Sequence, residues 1–188
     1  MATQGPLNAG TAANDSSFGT VAWSNLTNIT ASDNSRVGAS ATGYTQYLKV
    51  TNFGFSIPSG ATINGVTVSV ERRSAAGVSM AKDARVRIVK GGTIGSTDKA
   101  SSSAWPYTTD GTATYGSSSD LWGETLTDTD INNSTFGMAI AATKFGGKAP
   151  SFGPEIDTVT ITIDYTAAGG GSTPGNSTQF LQLLGLGT

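Results

Sequence analysis

Residues 157–165 read DTVTITIDY, and this stretch decides the fold. Val159, Ile161, Ile163 and Tyr165 fall on one parity, while Thr158, Thr160, Thr162 and Asp164 fall on the other. A period of two with β-branched residues suits a strand that buries one face and leaves the other polar. The same rhythm recurs upstream. Val66, Val68 and Val70 alternate with Thr67, Ser69 and Glu71, and Val86 and Ile88 alternate with Arg85 and Arg87. Phe136, Met138, Ile140 and Ala142 point one way, with Gly137, Ala139 and Ala141 on the opposite parity. Turn signals separate these runs at Pro58-Ser59-Gly60, Gly91-Gly92, Asp110-Gly111 and Gly146-Gly147. Asn64-Gly65 lies so near the start of its run that it reads as a bulge or bend as readily as a hairpin. No window sustains a period of 3.6, so the expectation is an all-β, antiparallel β-sandwich of seven to nine strands spanning residues 21–166.

The flanks differ. Residues 1–20 are rich in Gly, Ala, Asn, Ser and Thr, and read as an N-terminal arm that is ordered only if something holds it. Residues 167–179 form a Gly/Ser/Thr/Asn-rich linker with a typical reach of about 20 Å and a full extension of about 45 Å. Residues 180–188 are an apolar tail carrying Phe180, Leu181, Leu183, Leu184 and Leu186. Burying these five side chains yields roughly 8–15 kcal/mol in gross terms. Ordering the segment costs about 1.5 kcal/mol per residue, so one tail docks weakly by itself. A strand-like addition to a partner's sheet edge, repeated over several copies, supplies the backbone bonds and avidity that a stable attachment needs.

Composition narrows the chemistry. The 188 residues include no Cys and no His, which removes thiol nucleophiles, Ser-His triads and His- or Cys-based zinc sites. Only 13% of residues are charged and the formal net charge is −2, so no polycationic surface is available for nucleic acid. No run approaches the roughly 20 apolar residues of a membrane span. The opening MATQGPLNAGTAAND has neither a basic nor an apolar leader region, so synthesis in a cytoplasm without a signal peptide is expected. Glu71, Glu124 and Glu155 are the only glutamates, and Glu71 beside Arg72 and Arg73 reads as a surface ion pair. Arg72, Arg73, Arg85, Arg87 and Lys90 read as a solvated basic face open to an acidic partner. Asp128-Thr129-Asp130-Ile131-Asn132 opens like a calcium loop, but Asn133 stands where Gly is required and Ala139 where Glu is required. A short helical turn capped by Thr127 or Asp128 is expected there instead. No catalytic residue, cofactor or metal is assigned. The remaining candidate site is the set Trp105, Tyr107 and Tyr115, aromatic platforms among small polar residues of the kind that bind sugars or anchor interfaces. Trp122 reads as a cap on the core.

Three segments carry a resemblance: YLKVTNFGFSIPSGATINGVTVSVERR from Tyr47, DLWGETLTDTDINNSTFGMAIAA from Asp120, and IDTVTITIDY from Ile156. Together they resemble a recurrent β-sandwich pattern of tailed-bacteriophage virion proteins and bacterial surface proteins, over residues 47–166. The resemblance implies a jelly-roll-like module on virions or cell surfaces. With the two flanks, it raises the expectation of a non-enzymatic virion protein that decorates or cements a capsid. Its partners would then be the major capsid protein or other virion subunits, and it is expected to be a homo-oligomer. The competing expectation is a receptor- or carbohydrate-binding module that takes a surface glycan on Trp105, Tyr107 and Tyr115.

Overall fold

The Val66, Val68 and Val70 row lies in a 13-residue strand, β6 (Thr62–Ser74), paired along its length with another 13-residue strand, β11 (Pro154–Thr166). The computed structural model describes residues 1–40, 43–75, 81–107, 109–144 and 153–168. The linker from residue 169, the docking tail and the Gly146-Gly147 turn lie outside the described residues. The other strands are β1 (Ala2–Asn8), β2 (Thr11–Asp15), β3 (Val37–Gly38), β4 (Gly43–Tyr44), β5 (Tyr47–Thr51), β7 (Ala81–Lys90), β8 (Thr93–Ile94), β9 (Gly111–Ser117) and β10 (Gly137–Lys144). A 3-10 turn covers Leu26–Thr30, and one short helix, α1, covers Asp128–Asn132.

Two antiparallel sheets pack face to face, with strand orders β1-β11-β6-β9 and β2-β5-β10-β7-β8. From β5 onward the chain crosses between the sheets at nearly every connection. With β2 and the two-residue strands β3 and β4 set aside and the equally short β8 kept, the orders 1-11-6-9 and 5-10-7-8 are jelly-roll-like. Between the sheets lie Val66, Val68 and Val70 of β6, Ile156, Val159, Ile161 and Ile163 of β11, and Met138 and Ile140 of β10. All are fully buried, and each side chain contributes about 1.5–3 kcal/mol relative to exposure. The inward and outward parities match the alternation of the sequence. The outer face of β10 is not solvated, however. Ala139 and Ala141 are buried there in a second cluster with Tyr47, Ala84 and Val89, covered by Phe18 and Ile94.

Residues 1–20 depart from the expected arm. β1 runs along β11, with Ala2 opposite Tyr165 and Asn8 opposite Thr160, and β2 runs along β5, with Thr11 opposite Thr51. The partner that holds this segment is the domain itself, and the sheets begin at Ala2 rather than near Val21. Few large apolar groups are involved because an edge strand is held mainly by backbone bonds. Side-chain amides help, since Asn14 donates to the Trp23 carbonyl (2.9 Å) and accepts from the Trp23 amide (2.8 Å).

Local signals resolve cleanly. Gly91 and Gly92, both at positive φ, form the two-residue hairpin between β7 and β8. Asn64 is a bulge, because Ile63 and Gly65 face the adjacent residues Tyr165 and Asp164. Thr127 caps α1 in a reciprocal capping box with Asp130. Phe53, Phe55 and Ile57 are buried, but residues 52–58 join no ladder. The chain is crossing from one sheet to the other here, so the amide of Asn132 replaces a strand partner. It accepts from the Ile57 N–H (2.6 Å) and donates to the Ile57 carbonyl (2.8 Å).

Candidate functional site

Two of the three candidate aromatics are interior residues. Trp105 is fully buried, Tyr115 is 6% exposed, and only Tyr107, at 44%, reaches solvent. The cause is Asp83, buried on the inner face of β7. Its carboxylate accepts from the Trp105 indole N–H (2.7 Å), the Tyr115 hydroxyl (2.8 Å) and the Ser101 amide (2.8 Å). The Arg72 guanidinium completes the cluster, bonded to Asp83 and to the Tyr115 hydroxyl, and lying over the Trp105 ring at 4.8 Å. Burial, with the adjacent Asp83 charge, pushes the Tyr115 hydroxyl far above its ordinary range. This corrects the reading of Trp105 and Tyr115 as ligand platforms and of Arg72 as a surface cation: the rings enclose a buried ion pair. Arg72 shares the parity of Val66, Val68 and Val70, a signal that was available in the sequence. Trp122 is buried as expected, its indole donating to the Val66 carbonyl (2.9 Å).

The basic residues Arg85 and Arg87 do lie on an outer face. They line a pocket of about 390 Å³ with Ser17, Phe18, Tyr47 and Ile94. The Arg85 guanidinium stacks over Phe18 at 5.0 Å, and Asp98 pairs with Arg85 (3.2 Å) and Arg87 (3.6 Å). The Arg87 Nε is buried with no hydrogen-bond partner among the described residues.

On the outer side of the other sheet, three elements converge on carboxylates that no sequence motif announces. Glu71 comes from β6, Asp110 from the residue before β9, and Asp157 from β11. One oxygen of each lies within 4.8 Å of the others. Asp157 owes its position to a bulge: Ile156 faces Arg72 and Thr158 faces Glu71, which leaves Asp157 as the extra residue. It is 1% exposed. Its Oδ2 accepts from the Asn34 amide (3.1 Å), while its Oδ1 has no partner among the described residues. Burial pushes its carboxyl above the ordinary range; the Asn34 bond and Arg36 oppose this, and the charges of Glu71 and Asp110 reinforce it. Arg36 forks onto both oxygens of Asp110, and Arg73 pairs with Glu155 (2.7 Å) and more distantly with Asp110 (3.8 Å). Glu71 therefore does not form the expected ion pair. Arg72 is turned inward, Arg73 is engaged by Glu155, and Glu71 joins no ion pair among the described residues. A sequence signal for the bulge did exist, because apolar residues at 156, 159, 161 and 163 slip phase across Asp157.

The calcium-like run at Asp128 serves the helix cap. Asp130 accepts from the Thr127 amide (2.9 Å) and pairs with Lys90 (3.4 Å). The docking residues Phe180, Leu181, Leu183, Leu184 and Leu186 lie outside the described residues. Comparison of the chain with models of known protein families, with curated proteins and with solved structures finds no match. The likeness to phage and surface sandwiches therefore rests on the quoted motifs alone.

Proposed function

We propose that this protein is a structural, non-enzymatic component of a tailed-phage particle. It would be made in the host cytoplasm and would decorate or cement the capsid as a homo-oligomer. The observation that carries the reading is the jelly-roll-like strand order, an architecture used by capsid domains, followed after β11 by a linker and an apolar terminal segment. The sandwich is the rigid body, and Phe180, Leu181, Leu183, Leu184 and Leu186 are the docking element for the major capsid protein or a neighbouring subunit. Each tail binds weakly, and a multimeric body multiplies the attachment.

The test is deletion of Phe180–Thr188. The truncated protein is expected to keep the urea midpoint of the full chain and to lose loading onto particles. Full loading of the truncated protein overturns the docking role. A second reading, a receptor- or glycan-binding module, is favoured by the Phe18/Tyr47 pocket with its unsatisfied Arg87 Nε, which suits an anionic ligand. A glycan-array signal that Arg87→Ala abolishes would favour that reading, and no signal with normal particle incorporation would favour the first.

A further inference from the structure

We infer that Glu71, Asp110 and Asp157 form a calcium site on the outer face of the β1-β11-β6-β9 sheet. The first observation is convergence: Glu71 of β6, Asp157 of β11 and Asp110 just before β9, far apart in sequence, bring one carboxylate oxygen each to within 4.8 Å of the others. That spread suits oxygens placed about 2.3–2.6 Å from one Ca²⁺. The second is Asp157 itself, 1% exposed, with an Oδ1 that no described group satisfies. A buried carboxylate oxygen without a partner is costly, and a cation is the partner that satisfies it without a further donor. The bulge in β11 gives this residue its place beside the other two acids.

Charge balance agrees. The neighbourhood holds the carboxylates of Glu71, Asp110, Asp157 and Glu155 against the guanidiniums of Arg36 and Arg73. Two negative charges remain, the charge of one divalent ion. Donors made only of oxygen select a hard cation. Ligands fixed on a sheet and a strand bulge suit the tolerant six- to eight-fold coordination of Ca²⁺ better than the strict octahedron of Mg²⁺. Arg36 holds Asp110 in position and, with Arg73, limits the repulsion among the acids when the cation is absent. The site is independent of capsid docking, so the isolated full chain tests it.

The experiment measures thermal unfolding of EDTA-treated, dialysed protein, titrated with CaCl₂ or MgCl₂ at constant ionic strength, alongside calorimetric titration for Kd. With calcium a hundredfold above Kd, the midpoint is expected to rise by roughly 5–10 °C, with a much smaller rise in magnesium. Asp157→Asn removes the buried charge at constant shape and should abolish the rise. Glu71→Gln, at a half-buried position, does the same and serves if Asp157→Asn fails to fold. No calcium shift in the unaltered chain, an equal shift with magnesium, or a shift that survives in a folded variant overturns the site.

Discussion

Replacing Asp83 with Asn tests what holds the interior together. Asp83 has no exposed side-chain surface, and the Arg72 side chain is 6% exposed. The carboxylate receives four donors, from Arg72, Trp105, Tyr115 and Ser101. An Asn side chain has nearly the same shape. It keeps one acceptor oxygen, turns an NH₂ toward groups that are themselves donors, and leaves the guanidinium as an uncompensated buried charge. Losing one member of a buried pair costs about 3–5 kcal/mol. With a urea slope of about 2 kcal/mol/M, the midpoint should fall by roughly 1.5–2.5 M. Urea unfolding followed by tryptophan fluorescence and by circular dichroism measures this, and coincident curves confirm a two-state transition. The double variant Arg72→Met/Asp83→Leu should recover only the part due to the uncompensated guanidinium, since the buried Trp105, Tyr115 and Ser101 donors still lose their acceptor. An Asp83→Asn midpoint within about 0.5 M of the parent, at unchanged slope, would refute the assignment of this cluster as a stabilising ion pair.

Two further outcomes follow from local geometry. Asn132→Ala removes both bonds to the backbone of Ile57, a residue 3% exposed, and should cost about 2–4 kcal/mol in urea unfolding, with faster hydrogen exchange at the Ile57 amide. Asp15, Asp120 and Asp130 all titrate below the ordinary value of 3.8. Ser17, with Lys49, lowers Asp15 against a smaller effect of burial; burial also opposes the shift at the other two, where Lys99 with the Trp122 amide, and Thr127 with Lys90, outweigh it. The unfolded chain binds more protons at these groups, so their stabilisation is complete above 3.8 and is lost as the pH falls through and below it. Urea midpoints should decline below about pH 4, and a midpoint unchanged down to about pH 3 would contradict the shifts.

The strands were legible because burial on one face writes itself into alternate residues, as at Val66–Val70 and Val159–Ile163. The Thr127 cap and the Asn64 bulge were legible because both are local chemistry. The pairing of β1 and β2 was not, since edge strands are held by backbone bonds that carry no side-chain signature. The roles of Trp105 and Tyr115 were hidden for a different reason. They depend on Asp83, whose inward orientation follows from a register shift in β7 at Ala84, between Asp83 opposite Ala142 and Arg85 opposite Ala141. The Glu71, Asp110 and Asp157 cluster depends on register across three elements, and only the phase slip at Asp157 hinted at it.

The pairing of β1 with β11 also sets the order of events during synthesis. Ala2 lies opposite Tyr165, so of the strands in this sandwich the earliest made pairs with the latest made. At about 5–20 residues per second, β1 waits roughly 10–30 s for its neighbour. Until then, β5 can already take β2 along one edge, while β6 has no β11 to pair with and stays open to other chains. Closure is therefore a late, long-range step, and this domain should fold slowly and be most vulnerable to association with its own nascent copies just before residue 165 emerges.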